Sequence, residues 1–312
     1  MKKLILFVCM ICLSFLHGCF EISTHMDTLD TSTTVISTSS MTTSFATTQS
    51  SEITTTFMKA ALFGEPGVTP EIFAPGFIST ETNFEFAGTF SPDYRYYFFT
   101  RRAPEGANRI FYSEYIDGQW SHAELSPISE DVDEFEPFIT PDGKMVYFGS
   151  MRDNRSDYAI YQSEFANGAW QTPTYCDNGL NSGFSMYVTV STYGNIYFTG
   201  LNGIYVIKNM EGEFQSRVST GIAGAHPYIS PDESYMLFDR ESGSSRYIYI
   251  TIQNNGHWST PVKLGSDINQ SGAEQLCPSV TTDGKYFFFS RFIEGVSNIY
   301  WVDASCLDQY LD

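Results

Sequence analysis

The stretch F-I-T-P-D-G-K-M-V-Y-F-G-S at residues 138–150 constrains the fold more than any other feature, because the chain repeats it imperfectly. A short apolar run ends at Thr140, Pro141-Asp142-Gly143 turns the chain, and residues 144–149 leave as a β-branched and aromatic run. Pro presets φ, Asp bonds its own backbone and Gly accepts φ > 0, so the unit reads as a β-hairpin. The same slot recurs at Ser91-Pro92-Asp93-Tyr94, Ser191-Thr192-Tyr193-Gly194, Ser230-Pro231-Asp232-Glu233 and Thr281-Thr282-Asp283-Gly284, which makes five copies.

Behind each turn comes an Ile-aromatic pair: Ile110-Phe111, Ile160-Tyr161, Ile204-Tyr205, Ile248-Tyr249 and Ile299-Tyr300. In the first four copies a Gly-x-aromatic step follows, ending at Trp120, Trp170, Phe214 and Trp258. Each repeat therefore contains four short strands, and the turn-to-turn spacings of 49, 51, 39 and 51 residues suit propeller blades. The expected fold is all-β, a β-propeller of five four-stranded antiparallel blades. Six blades would require residues 62–86 to form a degenerate blade, and a solenoid is the other architecture repeats of this kind allow. The last copy ends without its outer strand, so residues 73–79 are expected to supply it and close the ring.

At these residues the chain resembles the WD-like propeller repeats with a Ser-Pro-Asp-Gly signature, the TolB-like propellers. The resemblance covers the chain from about Leu62 onward and implies a propeller fold; such propellers carry many activities, so it leaves function open.

Aromatic residues make up 16% of the chain, which suits packed sheets. The formal charge is −19, with only 17 Lys and Arg. Sequence-independent binding to nucleic acid needs many phosphate-facing cations, which this chain does not supply. Met1-Lys2-Lys3 followed by an apolar run of ~13 residues reads as an export leader too short to span a bilayer comfortably. Leu16-His17-Gly18-Cys19 resembles a bacterial lipobox, which implies residues 1–18 as a signal peptide and Cys19 as the lipidated first residue. In residues 23–56, 21 of 34 positions are Ser or Thr without apolar periodicity. Residues 19–61 are thus expected to be a disordered tether, and residues 62–312 the propeller.

Chemistry is sparsely marked. Cys176, Cys277 and Cys306 form an odd set and read as buried thiols. No zinc spacing, nucleophile elbow or phosphate loop is present. The innermost strand of a blade enters the Pro-Asp turn, so Glu85, Asp133, Glu134, Glu136, His226 and Glu274 are expected near the channel. Two carboxylates across it could serve as acid and base of a glycosidase; the simpler reading has them hydrated or paired with cations. The acidic run at residues 130–136 is dense enough in oxygens for Ca²⁺ but lacks the spacing of a dedicated calcium loop. Arg101, Arg240 and Arg291 each follow the turn Asp position by eight residues, with Arg152 close behind in its own copy. They offer either a collar for an acidic ligand or ion pairs within the blades. The reading is an exported, lipid-anchored envelope protein, its propeller in the periplasm or outside the cell, binding a protein, peptide or glycan. The competing class is a hydrolase or lyase acting on a polysaccharide.

Overall fold

The computed structural model describes residues 64–311; the leader, Cys19 and the tether at 19–61 lie outside the described residues. Five antiparallel sheets follow one another, each with its innermost strand leading into the repeated turn. These strands are Phe84–Phe90, Glu134–Ile139, Met186–Val190, Ala225–Ile229 and Glu274–Val280. The second strands are Tyr96–Arg102, Met145–Ser150, Ile196–Gly200, Tyr235–Ser242 and Tyr286–Ile293. Third strands are Asn108–Ile116, Ala159–Ala166, Gly203–Ile207, Ser245–Asn254 and Val296–Asp303. Among the described residues no helix is long and apolar enough to cross a membrane.

Radial closure is visible in the core. Apolar clusters join blade 1 to 2, 2 to 3, 3 to 4, 4 to 5 and 5 back to 1. A blade is therefore apolar on both faces, which explains Tyr96-Tyr97-Phe98-Phe99: Tyr96 and Phe98 pack toward blade 2, Tyr97 and Phe99 toward blade 5. Trp170 continues this pattern by packing edge-on against Phe98 of the preceding blade at 5.5 Å, and Trp258 against Tyr197 at 6.3 Å.

The turn chemistry explains the repeated Ser/Thr and Asp. Ser91 Oγ donates to Asp93 Oδ1 at 2.6 Å and accepts from the Tyr96 amide at 2.9 Å. Thr140–Asp142, Ser230–Asp232 and Thr281–Asp283 repeat the hydroxyl–carboxylate bond at 2.6–2.8 Å. The third copy has no Asp, and there Ser191 Oγ donates to Glu233 Oε1 at 2.7 Å. Glu233 follows Asp232 in the turn of blade 4, so the missing carboxylate comes from the next blade. In blade 1 the same position holds Tyr94, which reaches Asp283 of blade 5 at 2.6 Å.

Two expectations about outer strands need correction. The Gly-x-Trp steps form two-residue hairpins with the end of the third strand, as at Gln119–Trp120, and the true outer strand lies further on, at Glu124–Leu125 in blade 1. Blade 5 is closed by Glu71–Ile72, paired with Tyr300 and Trp301, two residues ahead of the stretch expected. Phe73 then donates its amide to Ile299 O at 2.8 Å and inserts its ring among Tyr97, Phe288 and Trp301.

Candidate functional site

Every innermost strand is interrupted by a β-bulge at the same place, four residues before the Ser or Thr of the turn. The bulged residues are Ala87, Glu136, Tyr187, His226 and Cys277, and all five have positive φ, between 48° and 58°. For residues other than Gly this conformation costs about 1–3 kcal/mol, so the surrounding structure must impose it. A second-strand side chain of the preceding blade does so: the amides of Ala87, Glu136 and His226 donate to Ser290 Oγ, Thr100 Oγ1 and Thr199 Oγ1 at 3.1, 2.8 and 2.8 Å. The amide of Cys277 faces a carboxylate instead, Asp239 Oδ2, at 3.4 Å.

The bulges aim these side chains at one another across the axis. Ala87, Tyr187 and Cys277 form one small buried cluster, and the Tyr187 ring stands edge-on to the His226 ring at 5.1 Å. His226 Nδ1 bonds Asp239 Oδ2 at 2.5 Å, and its Nε2 lies 3.3 Å from Glu136 Oε1. Asp239 also pairs with Arg246 through its other oxygen. Burial works against charge on His226, but Asp239 and Glu136 outweigh it and push the imidazole up to about 9. Burial likewise opposes ionisation of Asp239, yet His226 and Arg246 hold its carboxyl below the ordinary range.

The folded imidazole thus binds its proton more tightly than the unfolded one, whose ordinary value is 6.5. Its contribution to stability is fully present below that value and is lost as pH rises through about 9, on the order of 3 kcal/mol in all. Melting temperature measured with a chelator present should accordingly fall between pH 6.5 and 9 in the wild type and change much less in His226→Gln. Equal profiles for the two proteins would contradict the assignment.

Of the residues expected at the channel, the structure brings Glu136 and His226 together. Glu85 and Glu134 lie two positions before the bulge, fully buried, and turn outward: Glu85 meets Arg101 Nε at 2.9 Å and Glu134 pairs with Arg152. Asp133 accepts from the Asn108 amide and the Tyr158 hydroxyl. Glu274 is half-buried beside Arg246, its carboxyl raised by burial, which Arg246 partly offsets. In the acidic run, Asp131 meets Arg109 and Glu134 accepts from the Glu130 amide as well as from Arg152, so its oxygens are divided among separate partners.

The arginines do not stand as a free collar. Arg101, Arg152 and Arg291 donate to the carbonyls of Ile78, Ile128 and Ile268, tying down the crossover that leads into each blade, at 2.9, 2.7 and 3.0 Å. Their guanidinium planes cover aromatic rings of their own blade, Phe99 and Phe111 for Arg101, Phe289 and Tyr300 for Arg291. Arg240 lies 4.1 Å above the Tyr249 ring. In blade 3 Arg217 takes this place over Phe198 and Tyr205. Each of these guanidinium groups is engaged by its own blade or by the crossover leading into it.

Toward the turns, the axis opens into a funnel lined from all five blades by Phe90, Phe138, Val190, Ile229 and Val280, with Pro141, Pro231 and Thr282 at the lip. It encloses only about 30 Å³, room for a water or two, and none of its lining residues is charged. Asp239 and Tyr187 were not legible as site residues from motif spacing. A signal for Asp239 did exist: the second-strand residues paired just before each bulge are Thr100, Gly149, Thr199, Asp239 and Ser290, so a carboxylate stands where three other blades carry a hydroxyl.

No protein-family model matches the chain, and no curated protein matches it. Among solved structures it is similar to TolB from Acinetobacter baumannii, at 23% identity and a TM-score of 0.39, over 57% of this chain and 43% of that one. It is also similar to a putative TolB from Agrobacterium tumefaciens, at 16% identity and a TM-score of 0.47, over 71% and 77% of the two chains. It is similar as well to a gluconolactonase from Xanthomonas campestris, at 12% identity and a TM-score of 0.46, over 77% and 87% of the two chains. The chain thus spans less than half of the Acinetobacter TolB, and these likenesses are likenesses of fold.

Proposed function

We propose that the protein is an exported envelope lipoprotein whose propeller is a binding scaffold, seating a protein or peptide partner over the uncharged mouth of the funnel at the turn end of its axis. The observation that carries this reading is the lining: five blades contribute apolar or aromatic side chains to one concave mouth, with no charged group among them. A glycosidase would need two carboxylates at its mouth with room for a sugar between them. Here the buried carboxylates at the axis, Glu136 and Asp239, both face His226, with Arg246 on the other oxygen of Asp239, while Glu85 and Glu134 turn outward to Arg101 and Arg152.

The test is capture from the solubilised native envelope with the full chain as bait. Thr282 is exposed at the lip, so Thr282→Arg places a cation in the apolar mouth without touching the core. Capture should fall by about tenfold or more while the melting temperature stays within about a degree of the wild type. Equal capture by both baits, or turnover of envelope polysaccharide by the purified protein, would overturn the scaffold reading.

Anchoring through Cys19, with residues 1–18 removed and 19–61 as the tether, belongs to the same proposal. It is supported by the Leu16-His17-Gly18-Cys19 sequence at the end of the apolar run. The wild type should incorporate labelled fatty acid and Cys19→Ala should not; unchanged labelling of the variant would remove the anchor.

A further inference from the structure

We infer that the ring of bulged residues is a binding site for one divalent transition-metal ion of the zinc class, held by Glu136, His226 and Cys277. The three come from blades 2, 4 and 5, so no sequence motif joins them, and one potential ligand atom of each lies within 4.8 Å of the others. They are 5%, 8% and 3% exposed, which makes the site dry. A carboxylate oxygen, an imidazole nitrogen and a thiol sulfur form a mixed donor set that suits zinc or cobalt and not the oxygen-seeking calcium or magnesium. Three protein ligands also leave a fourth position open.

Two independent features point the same way. Glu136 Oε2 is buried without a hydrogen-bond partner, although its sister oxygen faces His226 Nε2. A buried carboxylate oxygen left in this state is costly unless something electropositive completes it. His226 meanwhile directs Nδ1 to Asp239, which fixes the ring and leaves Nε2 to the axis, the arrangement by which a carboxylate orients a metal-binding imidazole. Ala87 and Tyr187, the remaining members of the ring, supply a small and a flat neighbour and no competing charge. Binding would exchange one divalent ion for two protons, one from the imidazolium and one from the thiol, both passing to solvent. The net charge of the buried site is then unchanged. The inference does not depend on what enters the funnel.

The experiment uses the full chain, treated with a chelator that is then removed, and cobalt(II) and zinc(II) as probes. The folded wild type should take up one equivalent of either ion, and the cobalt form should show a thiolate-to-cobalt charge-transfer band in the near ultraviolet. Cys277→Ser should abolish that band and weaken zinc binding by about tenfold or more, whereas Cys176→Ser and Cys306→Ser should leave both intact. Should Cys277→Ser fail to fold, Glu136→Gln, which keeps the shape of the side chain, should show the same loss of affinity. Absence of saturable uptake by the folded wild type, or a band that survives Cys277→Ser, would overturn the inference.

Discussion

Asp239→Ala should destabilise the propeller by about 3–5 kcal/mol, more than any surface change in the chain. Asp239 is fully buried and, among the described residues, is the only carboxylate on His226 Nδ1, while Arg246 pairs with its other oxygen and reaches the exposed Glu241 with its second nitrogen. Removing it leaves an imidazolium and much of a guanidinium facing a space without their main counter-ion. The Cys277 amide also loses its acceptor at a strained bulge. Asp239→Asn should cost less, because the amide oxygen still accepts one bond although the charge is gone. Denaturant unfolding of the two variants against the wild type measures the difference. A loss below about 1 kcal/mol for Asp239→Ala would show that the axial pairing contributes little.

Phe73→Ala should cost about 3–5 kcal/mol for a different reason. The ring is 1% exposed and packs edge-on against Phe90, Tyr97, Phe288 and Trp301, with centroids 5.0–6.0 Å away. These partners belong to blades 1 and 5, so Phe73 closes the ring where the two ends of the domain meet. Truncation leaves a cavity at that seam and loosens Glu71–Ile72 from the edge of blade 5. Protease should then cut ahead of residue 84 at a rate that rises with the loss of stability. Wild-type stability in Phe73→Ala would mean that this strand does not close the ring in solution.

The blades were legible because turn chemistry is local. Ser/Thr, Pro and Asp act within five residues of one another, as the Ser91–Asp93 and Thr140–Asp142 bonds show. The outer strands were less legible, since Gly-x-Trp marks a hairpin that ends after two residues and the pairing resumes where no motif stands. At the axis, Glu136 and His226 lay on the expected strands, but alternation alone could not separate them from Glu85, Glu134 and Glu274. A bulge breaks the two-residue period and decides which neighbour turns inward. The arginine slots were visible as a column, while only some of their partners were. Arg101 and Arg152 pair with Glu85 and Glu134 of their own blades, one of the two readings the sequence offers, but the bonds to the crossover carbonyls of Ile78, Ile128 and Ile268 leave no mark on the side-chain sequence.

His226 is held cationic between two carboxylates, Glu136 from blade 2 and Asp239 from its own blade. Imidazole nitrogen chemical shifts of His226, followed by NMR across pH 5 to 10 in chelator-treated protein, address this directly. His226 should titrate near 9, with Nδ1 shifted by its bond to Asp239. Titration at or below the ordinary 6.5 would contradict it, because an imidazole in a dry site can stay that acidic only if Asp239 and Glu136 are not where the five repeats place them.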